Sequence, residues 1–371
     1  MQRDFRTITF IVTKDCQLAC KYCYLVGKNN KEVMSFDIAR QSADYFLENT
    51  ALFSESSVAY DFIGGEPLLE IGLIGRICDY VQTKSSDLNH PWAHSYQIRI
   101  STNGLLYGSE DVQKFITKYK EHLSISISID GTRNKHNSNR VYKNGNGSYD
   151  EVIKNVKLWI SQFPDAGTKV TVSSEDLPYL KEGVLHLFDL GIKNLSVRTV
   201  FENVWKEGDD VIYEKQLMDL ADHIIDNKLY NKFDLYLFND SVGKPLEKYD
   251  KHNWCDSVML AVDASGTFYP CLRFAKFSLR NREALSVGNI YDGINLNRLR
   301  PFYSIDRCTQ SPHECIECEV ASGCGWCPAE NYDTADTPTI FQRSTAMCKM
   351  HKARVRAKSY YRNKLDFINN K

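Results

Sequence analysis

The stretch Cys16-Gln17-Leu18-Ala19-Cys20-Lys21-Tyr22-Cys23 follows a β-branched and aromatic run, Thr7 to Thr13, which is typical of a strand. The three thiols converge only if the loop curls around a shared group. A structural zinc site usually takes four protein ligands. A 4Fe–4S cube is held by cysteine thiolates, and three of them leave one iron open. The loop therefore predicts a 4Fe–4S cluster after the first strand, with a zinc half-site or three unrelated thiols as the alternatives.

Strand and helix patterns alternate from residue 5 to residue 204. Apolar residues at helical spacing separate the strands; one such face carries Cys78, which we interpret as a core residue. Ser148-x-x-Glu151 predicts a capping box at the start of another helix. Six βα units imply a parallel sheet with helices outside, two units short of a closed barrel. The sequence predicts an α/β fold, a partial (β/α)6 TIM-like barrel, with strands at Thr7–Thr13, Ser57–Ile63, Tyr96–Ser101, Leu123–Ile129, Lys169–Ser173 and Asn194–Phe201.

Polar side chains follow several of these strands, at the end where barrels of this type carry their chemistry. Gly64-Gly65-Glu66-Pro67 follows the second strand, where the glycines allow close approach to the backbone and the carboxylate can hold an ammonium group. An ordinary glycine-rich turn is the alternative. Ser101-Thr102-Asn103-Gly104 and Ser128-Ile129-Asp130-Gly131 end the third and fourth strands. Ser173 and Arg198 end the fifth and sixth and are weaker candidates.

The cysteine spacing, with an aromatic residue before the last Cys, resembles the signature of the radical S-adenosylmethionine (SAM) enzymes. In that family the open iron binds SAM and cleaves it reductively to a 5′-deoxyadenosyl radical. The resemblance implies that Gly64, Gly65 and Glu66 bind the SAM amino group and that polar strand ends line the SAM pocket. Those strand ends carry Ser101, Asn103 and Ser128. Asp130-Gly131 with His136 and Arg140 resembles the peptide-modifying branch, and Arg140 either pairs with the SAM carboxylate or is a solvated loop residue.

A second group of cysteines begins at Cys255. The pattern Cys255-x10-Gly266-x4-Cys271, Cys315-x2-Cys318-x5-Cys324-x2-Cys327 and Cys348 resembles the SPASM domain, which binds two auxiliary 4Fe–4S clusters. The family usually places three residues, not two, between the pair at Cys324 and Cys327, which leaves the division of ligands open. The resemblance implies three 4Fe–4S clusters in all. A zinc ribbon is the competing interpretation. The implied ligands are Cys255, Cys271 and Cys327 for the first auxiliary cluster and Cys315, Cys318, Cys324 and Cys348 for the second, with Cys308 a fourth ligand to the first or a bystander.

Composition excludes some classes of protein. The net charge of −1 provides no field that would favour nucleic acid or a membrane surface. Without a signal-like N-terminus or a long apolar run, we expect a cytoplasmic protein with no membrane span. Twelve cysteines in a reducing compartment then indicate metal or redox chemistry. We predict a radical SAM barrel at 1–204, a bridging region at 205–250, a SPASM domain at 251–350 and a basic C-terminal helix at 351–371. We interpret the basic face of this helix as solvated, with a nucleic-acid site as the alternative.

Enzymes with this domain pair mostly modify peptides or proteins. The resemblance thus implies a peptide-modifying oxidoreductase that forms an intramolecular thioether or carbon–carbon cross-link in a ribosomally made precursor peptide. Its electron donor would be a flavodoxin or ferredoxin. The first strand begins near residue 5, so we expect leader recognition by the barrel and bridge, by a separate leader-peptide-binding protein, or not at all. No catalytic base stands out.

Two other functions are weighed against cross-linking. An anaerobic sulfatase-maturating enzyme, which forms formylglycine, is expected to carry an Asp base directly after the Cys of the Gly-x4-Cys element. This chain has Leu272 there. A non-catalytic iron–sulfur or zinc protein would not need Gly64-Gly65-Glu66 beside a three-cysteine loop.

Overall fold

The computed structural model describes residues 4–28, 30–247 and 259–369. The chain forms two compact units, and each is assembled from separated stretches of sequence. The first unit comprises Met1–Gln17, Cys23–Ile125 and Trp254–Ile305, and the second comprises Leu18–Tyr22, Ser126–Asn253 and Asp306–Lys371. The predicted domain limits at residues 204, 250 and 350 divide the chain differently and stay a prediction.

The strands and helices follow the predicted alternation closely over the first 200 residues. The strands are β1 Phe5–Thr13, β2 Ser57–Gly64, β3 Tyr96–Thr102, β4 Leu123–Ile127, β5 Gly167–Val172, β6 Asn194–Thr199, β7 Asp234–Leu235, β8 Met259–Val262, β9 Thr267–Tyr269, β10 Gly288–Asn289 and β11 Gly293–Ile294. The helices are α1 Phe36–Glu48, α2 Ile71–Asp87, α3 Glu110–Tyr119, α4 Arg133–Asn139, α5 Tyr149–Gln162, α6 Leu180–Asp189, α7 Asp209–Asp226, α8 Leu296–Ser304, α9 Arg307–Gln310, α10 His313–Ile316, α11 Pro328–Thr334 and α12 Cys348–Asn369.

The first unit is built on a sheet with β1 near its centre. The strand order is β11-β10-β9-β8-β1-β2-β3-β4. β1 pairs in parallel with β2 and with β8, and β2 pairs in parallel with β3. The core of this unit includes Phe10, stacked on Phe62 with ring centroids 5.6 Å apart. β1, which precedes the cysteine loop, is therefore hydrogen-bonded on both edges, to β2 and to β8. β8 comes from a part of the chain more than 200 residues away.

Local sequence signals in the first unit are confirmed by its helices. Ser35 caps α1 by accepting a hydrogen bond from the backbone N–H of Ile38 at 3.2 Å. The predicted apolar face of α2 is buried, including Cys78 at 3% exposure. These helices form as predicted because one apolar stripe at helical spacing must lie against the sheet.

The second unit contains the parallel sheet β5-β6-β7. The Thr168 hydroxyl, on β5, donates to the carbonyl of Ile127 at 2.6 Å. The capping box predicted at Ser148 is wrong. The Ser148 hydroxyl instead donates to the carbonyl of Arg140 at 2.9 Å and lies 3.0 Å from Nε2 of His136. A tertiary partner has replaced the local one.

The C-terminal helix α12 packs along α7 in the second unit. The predicted solvated face of its basic residues is wrong for Arg354 and Lys358. The Arg354 guanidinium donates to the carbonyls of Tyr236 and Leu237. Lys358 donates to the carbonyl of Val242 at 3.2 Å. None of the helices in the described ranges is both long enough and apolar enough to cross a membrane.

Candidate functional site

Glu66 is buried at 1% exposure and connects the end of β2 to the end of β3. The Thr102 hydroxyl donates to its Oε1 at 2.6 Å, and the backbone N–H of Asn103 donates to its Oε2 at 2.7 Å. The backbone N–H of Leu68 also donates to Oε1, at 3.1 Å. The carboxylate predicted to bind an ammonium group is therefore held in one orientation by neutral donors.

The glycines before Glu66 permit a close approach of two backbone segments. A Cβ atom on Gly64 would lie 2.2 Å from the carbonyl oxygen of Thr13, and one on Gly65 would lie 2.1 Å from that of Asp15. The N–H of Gly65 donates to Thr13, and the N–H of Glu66 donates to Asp15. The glycines thus allow the turn to pack against the segment that leads into Cys16. The sequence alone did not reveal this reason for glycine at the two positions.

Cys16 and Cys23 belong to the first unit. Cys16 is buried, and its Sγ lies 3.9 Å from Nδ2 of Asn103. Cys23 and Cys271 both interact electrostatically with the Tyr24 phenol, whose pKa is raised by burial and held down in part by Arg273. The Arg273 guanidinium lies 4.9 Å from the centroid of the Tyr24 ring.

Cys20 lies in the segment Leu18–Tyr22, which packs within the second unit. The N–H of Ala19 donates to the carbonyl of Val141 at 2.7 Å, and the N–H of Lys21 donates to that of Asn139 at 3.0 Å. The chain around Cys20 is therefore paired with the segment that follows α4. Nothing in the local sequence predicted this pairing, because more than 100 residues separate the two segments.

Asp130 is the centre of a buried polar network in the second unit. It accepts hydrogen bonds from the Tyr22 hydroxyl, from Arg140 Nε at 2.8 Å and from the backbone N–H of Thr171 at 3.0 Å. Burial acts to raise the pKa of Asp130, but Arg140, Lys135 and His136 outweigh it and lower the pKa to about 2. Burial also lowers the pKa of His136, to about 3. Asp130 is therefore ionised and His136 neutral near pH 7.

Arg140 is buried and paired with Asp130, so its interpretation as a solvated loop residue is wrong. Its predicted contact with the SAM carboxylate stays a prediction. Ser101 is half-buried on β3, and Ser128 is half-buried just beyond β4. Ser173 lies in the second unit within 3.3 Å of Asn139. Arg198 lies over the ring of Tyr236, 5.1 Å from its centroid.

The four thiols predicted to hold the second auxiliary cluster lie in the second unit, where the other three act electrostatically on Cys324. Burial raises the pKa of Cys324 to about 11, and the other three thiols of the set add to that rise. The pKa of Cys315 is likewise raised by burial, with contributions from Cys348 and Cys318. Arg343 opposes both shifts. The structure thus brings together the implied set Cys315, Cys318, Cys324 and Cys348.

The remaining predicted ligands are placed separately. Cys271 is buried in the first unit, Cys327 is buried at the start of α11, and Cys308 is half-buried on α9. Cys255 lies outside the described residues. In the described part of the chain, no three His, Cys, Asp or Glu side chains have the arrangement of a formed metal site. The ligand roles therefore stay predictions.

Comparison with known proteins matches an N-terminal segment to an iron–sulfur family and most of the chain to several proteins. Residues 5–154 match the family described as a 4Fe-4S single cluster domain. Uncharacterized protein MJ0907 of Methanocaldococcus jannaschii is 32% identical over 70% of this chain and 82% of its own. The subtilosin biosynthesis protein AlbA of Bacillus subtilis is 23% identical over 86% of this chain and 66% of AlbA. A serine-type anaerobic sulfatase-maturating enzyme of Bacteroides thetaiotaomicron is 22% identical over 86% of this chain and 82% of that enzyme.

The chain belongs to the radical SAM enzymes that carry a SPASM domain. Two solved structures have the same fold. Native anSMEcpe with bound AdoMet has a TM-score of 0.71 at 18% identity, covering 98% of this chain and 99% of that one. SuiB of Streptococcus suis, bound to the precursor peptide SuiA, has a TM-score of 0.58 at 15% identity, covering 92% and 75%. The predicted fold class, a partial barrel followed by a Cys-rich region, is confirmed.

The donor set of this radical SAM enzyme fits the iron–sulfur clusters that its family implies. The four thiols act electrostatically on one another, Glu314 also acts on Cys315, and thiolates are the ligands that 4Fe–4S clusters take. Sequence reasoning missed some of the residues that surround Glu66 and Asp130. Thr102 and the fully buried pair Lys135–Asp176 are examples. The pattern Ser173-x-x-Asp176 could have predicted the position of Asp176, because it is a capping-box pattern and both halves of the box form. Lys135 carried none.

Proposed function

We propose that this enzyme is a maturase that forms an intramolecular thioether or carbon–carbon cross-link in a ribosomally synthesised precursor peptide. The residue after Cys271 favours cross-linking over formylglycine formation. Leu272 is buried and opens the short 3-10 helix Leu272–Phe274, at the position where formylglycine formation is expected to need an Asp base. The names of similar proteins support a peptide substrate: AlbA is a bacteriocin biosynthesis protein, and SuiB binds its precursor peptide SuiA.

We assign the first cluster to Cys16, Cys20 and Cys23. When bound there, this cluster and SAM would supply the radical chemistry for hydrogen abstraction from the peptide. The role of the protein is to hold the ligands in place. Thr102 and the backbone at Asn103 orient Glu66 for the SAM amino group. The proposed SAM contacts are Gly64, Gly65, Glu66, Ser101, Asn103, Ser128 and Arg140.

The auxiliary clusters supply an acceptor or relay for the electron that leaves the substrate. We assign the second of them to Cys315, Cys318, Cys324 and Cys348 in the second unit. The first is assigned to Cys255, Cys271 and Cys327, with Cys308 either a fourth ligand or a bystander. A flavodoxin or ferredoxin would donate the initial electron, and a separate protein that binds the leader peptide is a further partner to test. We place the reaction in the cytoplasm.

An anaerobic iron and sulfide count tests the cofactor set. About 12 iron atoms are expected in the reconstituted chain and about 8 in a Cys16/Cys20/Cys23→Ala variant, at four irons per cluster. SAM cleavage under reducing conditions should disappear in the variant. A count of about four with zinc present would show that the C-terminal cysteines form a zinc module, and the cross-linking reaction would lose its electron acceptor.

The substrate is tested with peptides translated from short Cys-containing open reading frames beside the gene. Incubation with SAM and dithionite should yield a product that lacks two hydrogens and carries no aldehyde, as read by mass spectrometry and a hydrazide probe. Blocking the peptide thiol before the reaction separates a thioether from a carbon–carbon bond.

Formylglycine formation is the second candidate. The alignment with the Bacteroides enzyme over 82% of its length favours it. Synthetic peptides with Cys-type and Ser-type sulfatase sequences serve as the matched probes. An aldehyde in either peptide, with no cross-link in any precursor peptide, would replace our proposal by this one.

A further inference from the structure

Arg343 makes a direct contact with one thiol of the four-cysteine group. Its Nη2 lies 3.2 Å from Sγ of Cys324. None of the sequence patterns considered above involves Arg343. Arg343 also belongs to neither of the motifs that define the family resemblance.

The guanidinium is held by contacts on several sides. Its Nη1 donates to the Ser311 hydroxyl at 3.2 Å, and the centroid of the Trp326 ring lies 5.7 Å from its central carbon. Trp326 itself is buried. An Arg side chain that is stacked and hydrogen-bonded loses little further freedom when it donates to a sulfur.

The backbone around Arg343 is also held by hydrogen bonds, including two to the buried side chain of Asn331. The N–H of Arg343 donates to the carbonyl of Gln310 at 3.0 Å. On either side of it, Asn331 donates to the carbonyl of Ile340 and accepts from the N–H of Ser344, both at 3.0 Å. Asn331 is fully buried. The loop between α11 and α12 therefore presents Arg343 to Cys324 in a defined position.

We propose that Arg343 is a positioning residue that hydrogen-bonds the Cys324 thiolate and raises the reduction potential of the auxiliary cluster bound there. The inference rests on the proposed second auxiliary cluster. Hydrogen bonds to ligand sulfurs and net charge are among the factors that set cluster potentials. Reduction adds one electron and hence one negative charge to the cluster, and a cation 3.2 Å from a ligand sulfur stabilises that charge.

The test is an EPR-monitored redox titration of the full-length reconstituted chain. It is made in the Cys16/Cys20/Cys23→Ala background, so that only auxiliary clusters contribute signals. Arg343→Met should decrease the equilibrium constant for one-electron reduction of one cluster about tenfold, which corresponds to a shift of ~59 mV to lower potential. Arg343→Lys keeps the charge without the planar fork and should give a smaller shift. The other auxiliary cluster serves as an internal standard and should not move.

Lys349→Met is the matched control, because Lys349 is an exposed cation directly after Cys348. An equal shift in this control would mean that general charge, not the hydrogen bond, sets the potential, and the inference would be wrong. Unchanged potentials in Arg343→Met, with about 8 irons retained, would overturn the role of Arg343 alone. A parent background that binds no iron would overturn the second auxiliary cluster and with it this inference. Should Arg343→Met lose iron, the potential of Arg343→Lys decides.

Discussion

Glu66 and Asp130 are two buried carboxylates that follow parallel strands, one in each unit, and they are held in different ways. Glu66 accepts from a hydroxyl and two backbone N–H groups. Asp130 accepts from Arg140, with Lys135 and His136 also acting on its charge. Both follow a strand and adjoin a glycine, so the sequence alone does not separate them. The comparison shows that a carboxylate at a strand end either connects neighbouring strands or neutralises a buried cation.

This difference predicts unequal costs when each charge is removed. Asp130→Asn would leave Arg140 without its carboxylate partner while Arg140 remains buried. Removing one partner of a buried ion pair costs about 3–5 kcal/mol. We therefore expect the free energy of unfolding of the second unit, measured by urea titration, to fall by that amount.

Asp150→Asn is the control for this variant, since Asp150 is paired with Arg133 in the same unit but both side chains are exposed. The expected loss there is about 0.2–1 kcal/mol. Equal losses in the two variants would show that the Asp130 network contributes no more than a surface pair.

Glu66→Gln is expected to have a smaller effect on stability. The glutamine amide keeps one oxygen acceptor but turns an NH2 group toward a donor, so one buried hydrogen bond is lost. An unsatisfied buried group costs about 1–3 kcal/mol. Urea titration measures this loss, and equilibrium dialysis with SAM reports separately on the proposed binding role.

Glu110→Gln provides the matched control, because Glu110 is exposed on α3 and pairs with Lys114. SAM binding should weaken in Glu66→Gln and stay unchanged in Glu110→Gln. Unaltered SAM affinity in Glu66→Gln would restrict Glu66 to connecting β2 and β3.

The last predicted effect is a pH dependence confined to the second unit. Asp130, Arg140 and Lys135 act on His136, and the Tyr149 ring packs against it. Its pKa is about 3 in the folded chain and about 6.5 in an unfolded one. As the pH falls through that window, the unfolded state binds a proton that the folded state does not, so stability falls by at most about 1.4 kcal/mol per pH unit.

His136→Gln removes this titration while keeping a polar side chain at the position. Urea titrations between pH 7 and pH 5, where Asp130 stays ionised in both states, should show a shallower slope in the variant. Asp130 contributes to the pH dependence of stability only at lower pH, because its pKa is about 3.9 in the unfolded chain and about 2 in the folded one. Identical slopes for wild type and variant would contradict a neutral, buried His136.

Local sequence and tertiary contacts determine different features of this protein. Local patterns determined the order and type of the elements to residue 200 and the cysteine groups, because helical spacing, strand composition and metal-ligand spacing act over a few residues. Ser35 and the α2 face formed as predicted for that reason. The capping box at Ser148 failed because a buried carbonyl and an imidazole competed for its hydroxyl.

Only the tertiary structure decided which distant residues meet. It placed β8 beside β1, paired the segment around Cys20 with residues after α4, and brought Arg343 to Cys324. Thr102 reaches Glu66 across 36 residues. Such contacts leave no periodic trace in the sequence. A buried donor or acceptor must find a partner wherever the fold provides one, whatever the distance along the chain.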